Sequence, residues 1–205
     1  MNLPKLKSDD IYIRVKEFVS SLKSYDVPVD IEGIIESQNI EIIPVPFLKR
    51  KFGVESATNS KFDKIYVDRS RYRSERYYVH VRYAMAYELG HIVMHRGILN
   101  SNNSYKTTEE WLRFMRRDED WEYWILKYQA NVFARAILVP EEPLFKAVEE
   151  LEDDAELAML FGVTAVMFRR RITDNDKVLD AVNSIVEKRD NDRLRTIINS
   201  YFKLN

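Results

Sequence analysis

Between residues 82 and 95 the chain reads Arg82-Tyr83-Ala84-Met85-Ala86-Tyr87-Glu88-Leu89-Gly90-His91-Ile92-Val93-Met94-His95. Glu88 and His91 carry the spacing of the second half of H-E-x-x-H. In that pattern two histidines four residues apart share a helix face and hold zinc, and the glutamate beside the first is general base to the metal-bound water. The first histidine is absent here, and Tyr87 occupies its position. A base and one ligand therefore stand without the second ligand. His91 and His95 are also four apart, so they form either a shifted ligand pair or a hydrogen-bonded helix end. Tyr87 as a phenolate ligand is disfavoured by the ordinary phenol pKa of about 10 unless the metal is already held.

These residues need a helix to align them. The segment from about Ser74 to about His95 is apolar on most sides, through Tyr78, Val81, Ala84, Met85, Leu89, Ile92 and Val93, as a central buried helix is. Gly97 to Tyr105 reads as an exposed loop, and Thr107 with Glu110 as a capping box. A second long helix spans about Glu119 to Leu138 and stops at Pro140. Before the central helix, Ser8 or Asp9 caps an amphipathic helix and Asp30 a short one. Ile40 to Val45 and Lys64 to Asp68 read as strands, the latter hairpin-paired with residues near Val54 to Thr58. The remainder is helical, with a last break near Asp190-Asn191-Asp192. The fold expected is α+β and mostly helical, a small antiparallel sheet packed on the central helix with a helical C-terminal extension. The units expected are 1–140, a helix-turn-helix-like segment at 141–173, and an extension at 174–205.

Composition narrows the function. The 205 residues are 45% hydrophobic and 32% charged, which suits a globular chain with a sizeable core. A net charge of -1 provides no field to recruit nucleic acid or membrane. No cysteine is present, which excludes disulfides, thiolate zinc sites and cysteine nucleophiles. The N-terminus lacks the apolar core of a signal peptide, and no apolar run approaches the roughly 20 residues that span a bilayer. A cytoplasmic location is expected.

In order along the chain, four pieces resemble the ImmA/IrrE family of metallopeptidases. Val29-Asp30-Ile31 with Ile40 to Phe47 is similar to that family's opening helix and strand, and Ile65-Tyr66-Val67 to its second strand. Tyr83 to His95 resembles its F-T-x-A-H-E-L-G-H-x-x-x-H helix. Gln129-Ala130-Asn131-Val132-Phe133-Ala134-Arg135-Ala136-Ile137-Leu138-Val139-Pro140 resembles its E-A-N-x-F-A-x-x-L-L-x-P segment. The resemblance implies a zinc site made by two helix histidines and a glutamate of the next long helix, and cleavage of a repressor or other regulator. It assigns the general base to Glu88 and the second ligand to His91, and it puts Tyr87 at the first. The third ligand falls on Lys127 or on Gln129, depending on register, and neither is a carboxylate.

Losing two ligands from the inner coordination shell costs more than the 10–100-fold typical of losing an outer partner. The Lys127 ammonium would repel a dication, and at the vacated metal position it would neutralise Glu88. A Glu88–Lys127 ion pair in place of the metal is therefore expected. A further candidate is Glu156 to Ile172, two short helices joined at Gly162 that resemble a helix-turn-helix, with Arg169, Arg170 and Arg171 as possible phosphate contacts. The reading favoured is a catalytically degenerate homologue, without cofactor and with vestigial Glu88 and His91, that binds a repressor or other regulator protein. The alternative is an active zinc endopeptidase cleaving such a regulator. Direct DNA binding is the third, disfavoured by this net charge.

Overall fold

The computed structural model describes residues 5–22, 25–101, 107, 110, 121–151, 153–188, 194–196 and 198. Helix α1 (Ser8–Ser20) opens the chain, with the Lys7 N–H donating to Asp10 Oδ2 at 3.0 Å. Asp30 caps α2 (Ile31–Ser37) by accepting from the Gly33 N–H at 3.0 Å. Strand β1 (Glu41–Val45), α3 (Leu48–Phe52), β2 (Ser56–Thr58), β3 (Lys64–Asp68) and α4 (Arg69–Tyr72) follow. A 3-10 turn at Glu75–Tyr77 leads into the central helix α5 (Tyr78–Ser101).

The sheet differs from the all-antiparallel one expected. Its order is β1-β3-β2, with β2 antiparallel to β3 and β1 parallel to it. The chain turns through α3 between β1 and β2, so β2 runs back against the direction of β1. The hairpin return places β3 in the middle, aligned with β1. Pro44 lies in β1, an edge strand, where its missing N–H costs no ladder bond on the open side.

Helix α5 also runs further than expected, passing through Gly97 to Ser101. Glycine costs about 1 kcal/mol inside a helix, and the helix is carried through it. The capping box at Thr107 and Glu110 is formed, each backbone N–H donating to the other's side chain at 3.2 Å. The expected helical residues 111–120 and the break at 190–192 lie outside the described residues. Helix α6 (Trp121–Leu138) ends two residues before Pro140. Then come α7 (Glu141–Glu150), α8 (Asp154–Phe161), α9 (Ala165–Thr173) and α10 (Asp176–Lys188).

Helix α5 packs on α6, β2 and α2, and α6 also carries α1 and α9. Gly90 sets the closest approach of the two long helices. A Cβ there would lie 3.0 Å from the Ala130 carbonyl oxygen and 3.2 Å from Phe133 Cδ1. One apolar cluster joins Ile11 of α1, Met85 and Leu89 of α5, Phe133 of α6, Phe168 of α9 and Val182 of α10. No helix among the described residues is long and apolar enough to cross a membrane.

Candidate functional site

Helix α5 places Glu88, His91 and His95 in the protein interior. Glu88 is held from the sheet. Its Oε1 accepts from Ser56 Oγ at 2.9 Å and its Oε2 from the Thr58 N–H at 2.8 Å. Ser56 and Thr58 are alternate residues of β2, so both meet α5 from one strand. Burial pushes the Glu88 carboxyl up to about 7, against the opposing pull of these two donors.

The expected Glu88–Lys127 ion pair does not form. Both carboxylate oxygens are held by β2, while Lys127 Nζ lies 5.4 Å from the centroid of the Trp124 ring. Reaching Glu88 would strip the ammonium of water, a cost that neutral donors from the strand avoid. The Lys127 charge is still felt at His91. Burial first, then His95, then Lys127 hold the His91 imidazole well below its ordinary range.

The two histidines meet each other. His91 Nδ1 lies 3.1 Å from His95 Nδ1, and His95 Nε2 lies 3.0 Å from Gln129 Oε1. Both rings are fully buried, and burial pushes His95 down to about 4, so both are neutral near pH 7. Proton placement then follows from the donor inventory. The Gln129 carbonyl accepts from His95 Nε2–H, which leaves His95 Nδ1 as an acceptor. His91 Nδ1–H donates to it, and the His91 lone pair resides on Nε2. Tyr87 packs edge-on against the His91 ring, with centroids 4.6 Å apart. Burial, with the neighbouring Glu88 charge, raises the Tyr87 phenol well above its usual range, so without a metal it is a neutral phenol. No group of three His, Asp or Glu side chains suited to a metal ion occurs among the described residues. Of the two registers for the third ligand, Gln129 is the residue that enters this cluster.

Helices α8 and α9 meet at Gly162, which adopts the left-handed conformation at φ 61° and closes α8. A Cβ at Gly162 would lie 3.3 Å from Nε of the buried Arg82. The three arginines expected to face DNA part ways. Arg169 pairs with Asp154 at 2.5 Å, Arg171 is 1% exposed, and Arg170 alone faces outward. The start of α9, where a recognition helix would read bases, presents Val166. The triplet therefore does not form one exposed basic face, because successive residues of a helix point about 100° apart.

Between α6 and α9 lies a groove of about 460 Å3, walled by Trp124, Lys127 and Tyr128 on one side and by Val166, Met167 and Arg170 on the other. Tyr83, Asn131 and Arg135 also line it. There the Tyr83 hydroxyl donates to Asn131 Oδ1 at 2.7 Å and accepts from Arg135 Nη1 at 3.2 Å, while Arg135 pairs with Asp174. Sequence reasoning missed Ser56, Thr58 and this network. The signal for Ser56 was a hydroxyl residue in a short strand, whereas Thr58 acts through its backbone N–H, its hydroxyl donating to the Lys64 carbonyl, and carried no side-chain signal.

The family model of the IrrE N-terminal-like domain, Peptidase M78, matches residues 57–173, more than half of the chain. The chain belongs to that family. Among curated proteins none matches it in sequence. The IrrE N-terminal-like match starts within β2, at the strand that grips Glu88, and ends with α9. It therefore takes in the histidine cluster and the groove, and leaves α1, β1 and α10 outside.

Proposed function

We propose that this metallopeptidase-like domain has lost metal-dependent cleavage and binds a transcriptional repressor or other regulator protein in the cytoplasm. The observation that carries the reading is the run of neutral groups where zinc ligands are required: Tyr87, His91 bonded to His95, and His95 bonded to Gln129. A catalytic zinc takes three protein ligands and keeps a fourth position open. The donor set does not fit it. Tyr87 is a neutral phenol, Gln129 carries no charge, and the only carboxylate of the motif, Glu88, is occupied by β2. Glu88 then serves to tie α5 to the sheet.

The groove supports the binding role. Trp124, Tyr128 and Val166 are 57%, 46% and 53% exposed along it, and Lys127 and Arg170 add positive charge. Aromatic anchors beside basic groups suit a protein segment that carries apolar and acidic residues. The start of α9 is apolar, which favours a protein over DNA.

The test is zinc stoichiometry on protein purified without chelator and then offered zinc, followed by mixing with repressors from the same genome. The expected result is zinc well below one per chain, and an intact complex weakened by Trp124→Ala and by Val166→Asp. One tightly held zinc per chain, with repressor cleavage abolished by Glu88→Gln, would establish the endopeptidase instead. Salt-dependent duplex binding lost in Arg170→Glu would establish the DNA reading.

A further inference from the structure

Between α1, the end of α6 and the start of α7 lies a second pocket, of about 290 Å3 and open to solvent. Val15, Val19, Ala136 and Pro140 form apolar walls, and Lys16, Glu141 and Glu142 also line it. Arg171 lines it and is 1% exposed. The guanidinium is positioned by neutral groups. Nε–H donates to the Val139 carbonyl at 3.0 Å, Nη1–H donates to the Tyr12 hydroxyl at 3.1 Å, and the cation lies 4.5 Å from the Tyr12 ring centroid. No described carboxylate lies within ion-pair distance of it, and Nη2 makes no hydrogen bond to a described residue. The nearby carboxylates are committed elsewhere: Asp174 to Arg135, Asp154 to Arg169, Glu141 to Lys16 and Glu142 to Lys146.

A buried cation without an anion is costly, and a guanidinium does not relieve the cost by losing its proton. Tyr12 accepts from Arg171, so its own O–H proton remains available as a donor beside Nη2. We propose that this cavity is a binding site for a small monocarboxylate with a compact apolar body. The carboxylate lies against Arg171 Nη2 and the Tyr12 hydroxyl, and the apolar body fills the space between Val15, Val19 and Pro140. A phosphate dianion fits less well, since one guanidinium and one phenol supply too few donors for its oxygens. The site is separate from the histidine cluster and from the groove, so it does not depend on the function proposed above.

The experiment uses the full chain, with benzoate, phenylacetate and hexanoate as probes and benzyl alcohol as the neutral counterpart. Binding is followed by calorimetry and by the Arg171 Nε–H resonance. The expected result is saturable binding of at least one carboxylate that shifts this resonance, with no comparable binding of benzyl alcohol. Arg171→Met, which keeps much of the volume and removes the charge, should weaken it about tenfold or more. Val19→Trp, which fills the cavity from a partly exposed wall position, should do the same with Arg171 intact, and it decides the matter should Arg171→Met not fold. Failure of all three carboxylates to saturate, equal binding of benzyl alcohol, or undiminished affinity in a folded Arg171→Met or Val19→Trp would each overturn the proposal.

Discussion

Glu88 and Arg171 are both buried ionisable side chains, each held by two neutral hydrogen-bond partners from distant parts of the chain. They resolve the cost of burial differently. Glu88 keeps its proton to about pH 7, so in acid and near neutrality much of its population is an uncharged acid between Ser56 and Thr58. A guanidinium has no such exit at any pH compatible with folding. Equivalent burial thus makes one site a pH-dependent strut and the other a site that favours an anion.

The largest effect expected is at Arg171. Arg171→Ala should cost about 3 kcal/mol in chemical denaturation, because it opens a cavity and strips the Val139 carbonyl and Tyr12 hydroxyl of their donor. Arg171→Met should cost far less, since it removes the charge and keeps the packing. Equal losses would mean the side chain contributes by its hydrogen bonds alone, and the contrast with Glu88 would fail.

Next comes Glu88→Gln, whose effect should depend on pH. Above the ordinary carboxyl pKa of 4.5 the unfolded chain releases this proton, while the folded chain holds it to about 7. Wild-type stability therefore declines as pH rises through that window and levels off above it. The amide keeps both bonds, accepting from Thr58 N–H and donating to Ser56 Oγ, so Glu88→Gln should be near neutral at pH 4 and stabilising by about 2 kcal/mol at pH 8. His95 works in the opposite sense. Its pKa falls from the ordinary 6.5 to about 4, so its contribution is complete above 6.5 and is lost on acidification toward 4. Removing Glu88 should expose that acid-side loss, which the wild type masks. A denaturation series from pH 4 to 8 on both proteins checks it.

Smaller still is Gly90→Ala, expected to cost about 1 kcal/mol or somewhat more because the new methyl meets the Ala130 carbonyl and Phe133. The same push separates α5 from α6, so the shift of the His95 ring resonances should accompany the loss. Tyr87→Phe should be the mildest change, below about 1 kcal/mol, because Tyr87 meets His91 through its ring. A larger loss would show that the hydroxyl belongs to the cluster.

Much of this arrangement was legible in the sequence. The apolar periodicity around Met85 and Leu89, the Asp30 cap, the Thr107–Glu110 box and the stop before Pro140 all depend on residues within a turn or so of one another. The family, too, was readable from motif order along the chain. The Glu88–Lys127 pairing failed as an expectation because it placed opposite charges in a vacated metal position without regard to what else could reach there. The Ser56 hydroxyl and the Thr58 backbone N–H of β2 reach Glu88, from 32 and 30 positions away. The arginine triplet likewise read as one basic face, and its members ended in an ion pair, at the surface and in the interior.

By itself, then, the sequence determined the main helices, the Asp30 cap and Thr107–Glu110 box, the family and the tyrosine at position 87, because short-range hydrogen bonding and periodicity are written within a few residues. The cap of α1 fell on Lys7 rather than on Ser8 or Asp9. Only the tertiary structure decided that β1 runs parallel to β3, that His95 bonds both His91 and Gln129, and that Arg171 is buried beside Tyr12 from 159 positions away. The reason is physical. Whether a charge is solvated, paired or stranded depends on which distant groups the packed chain brings within about 3 Å of it, and no local pattern carries that information.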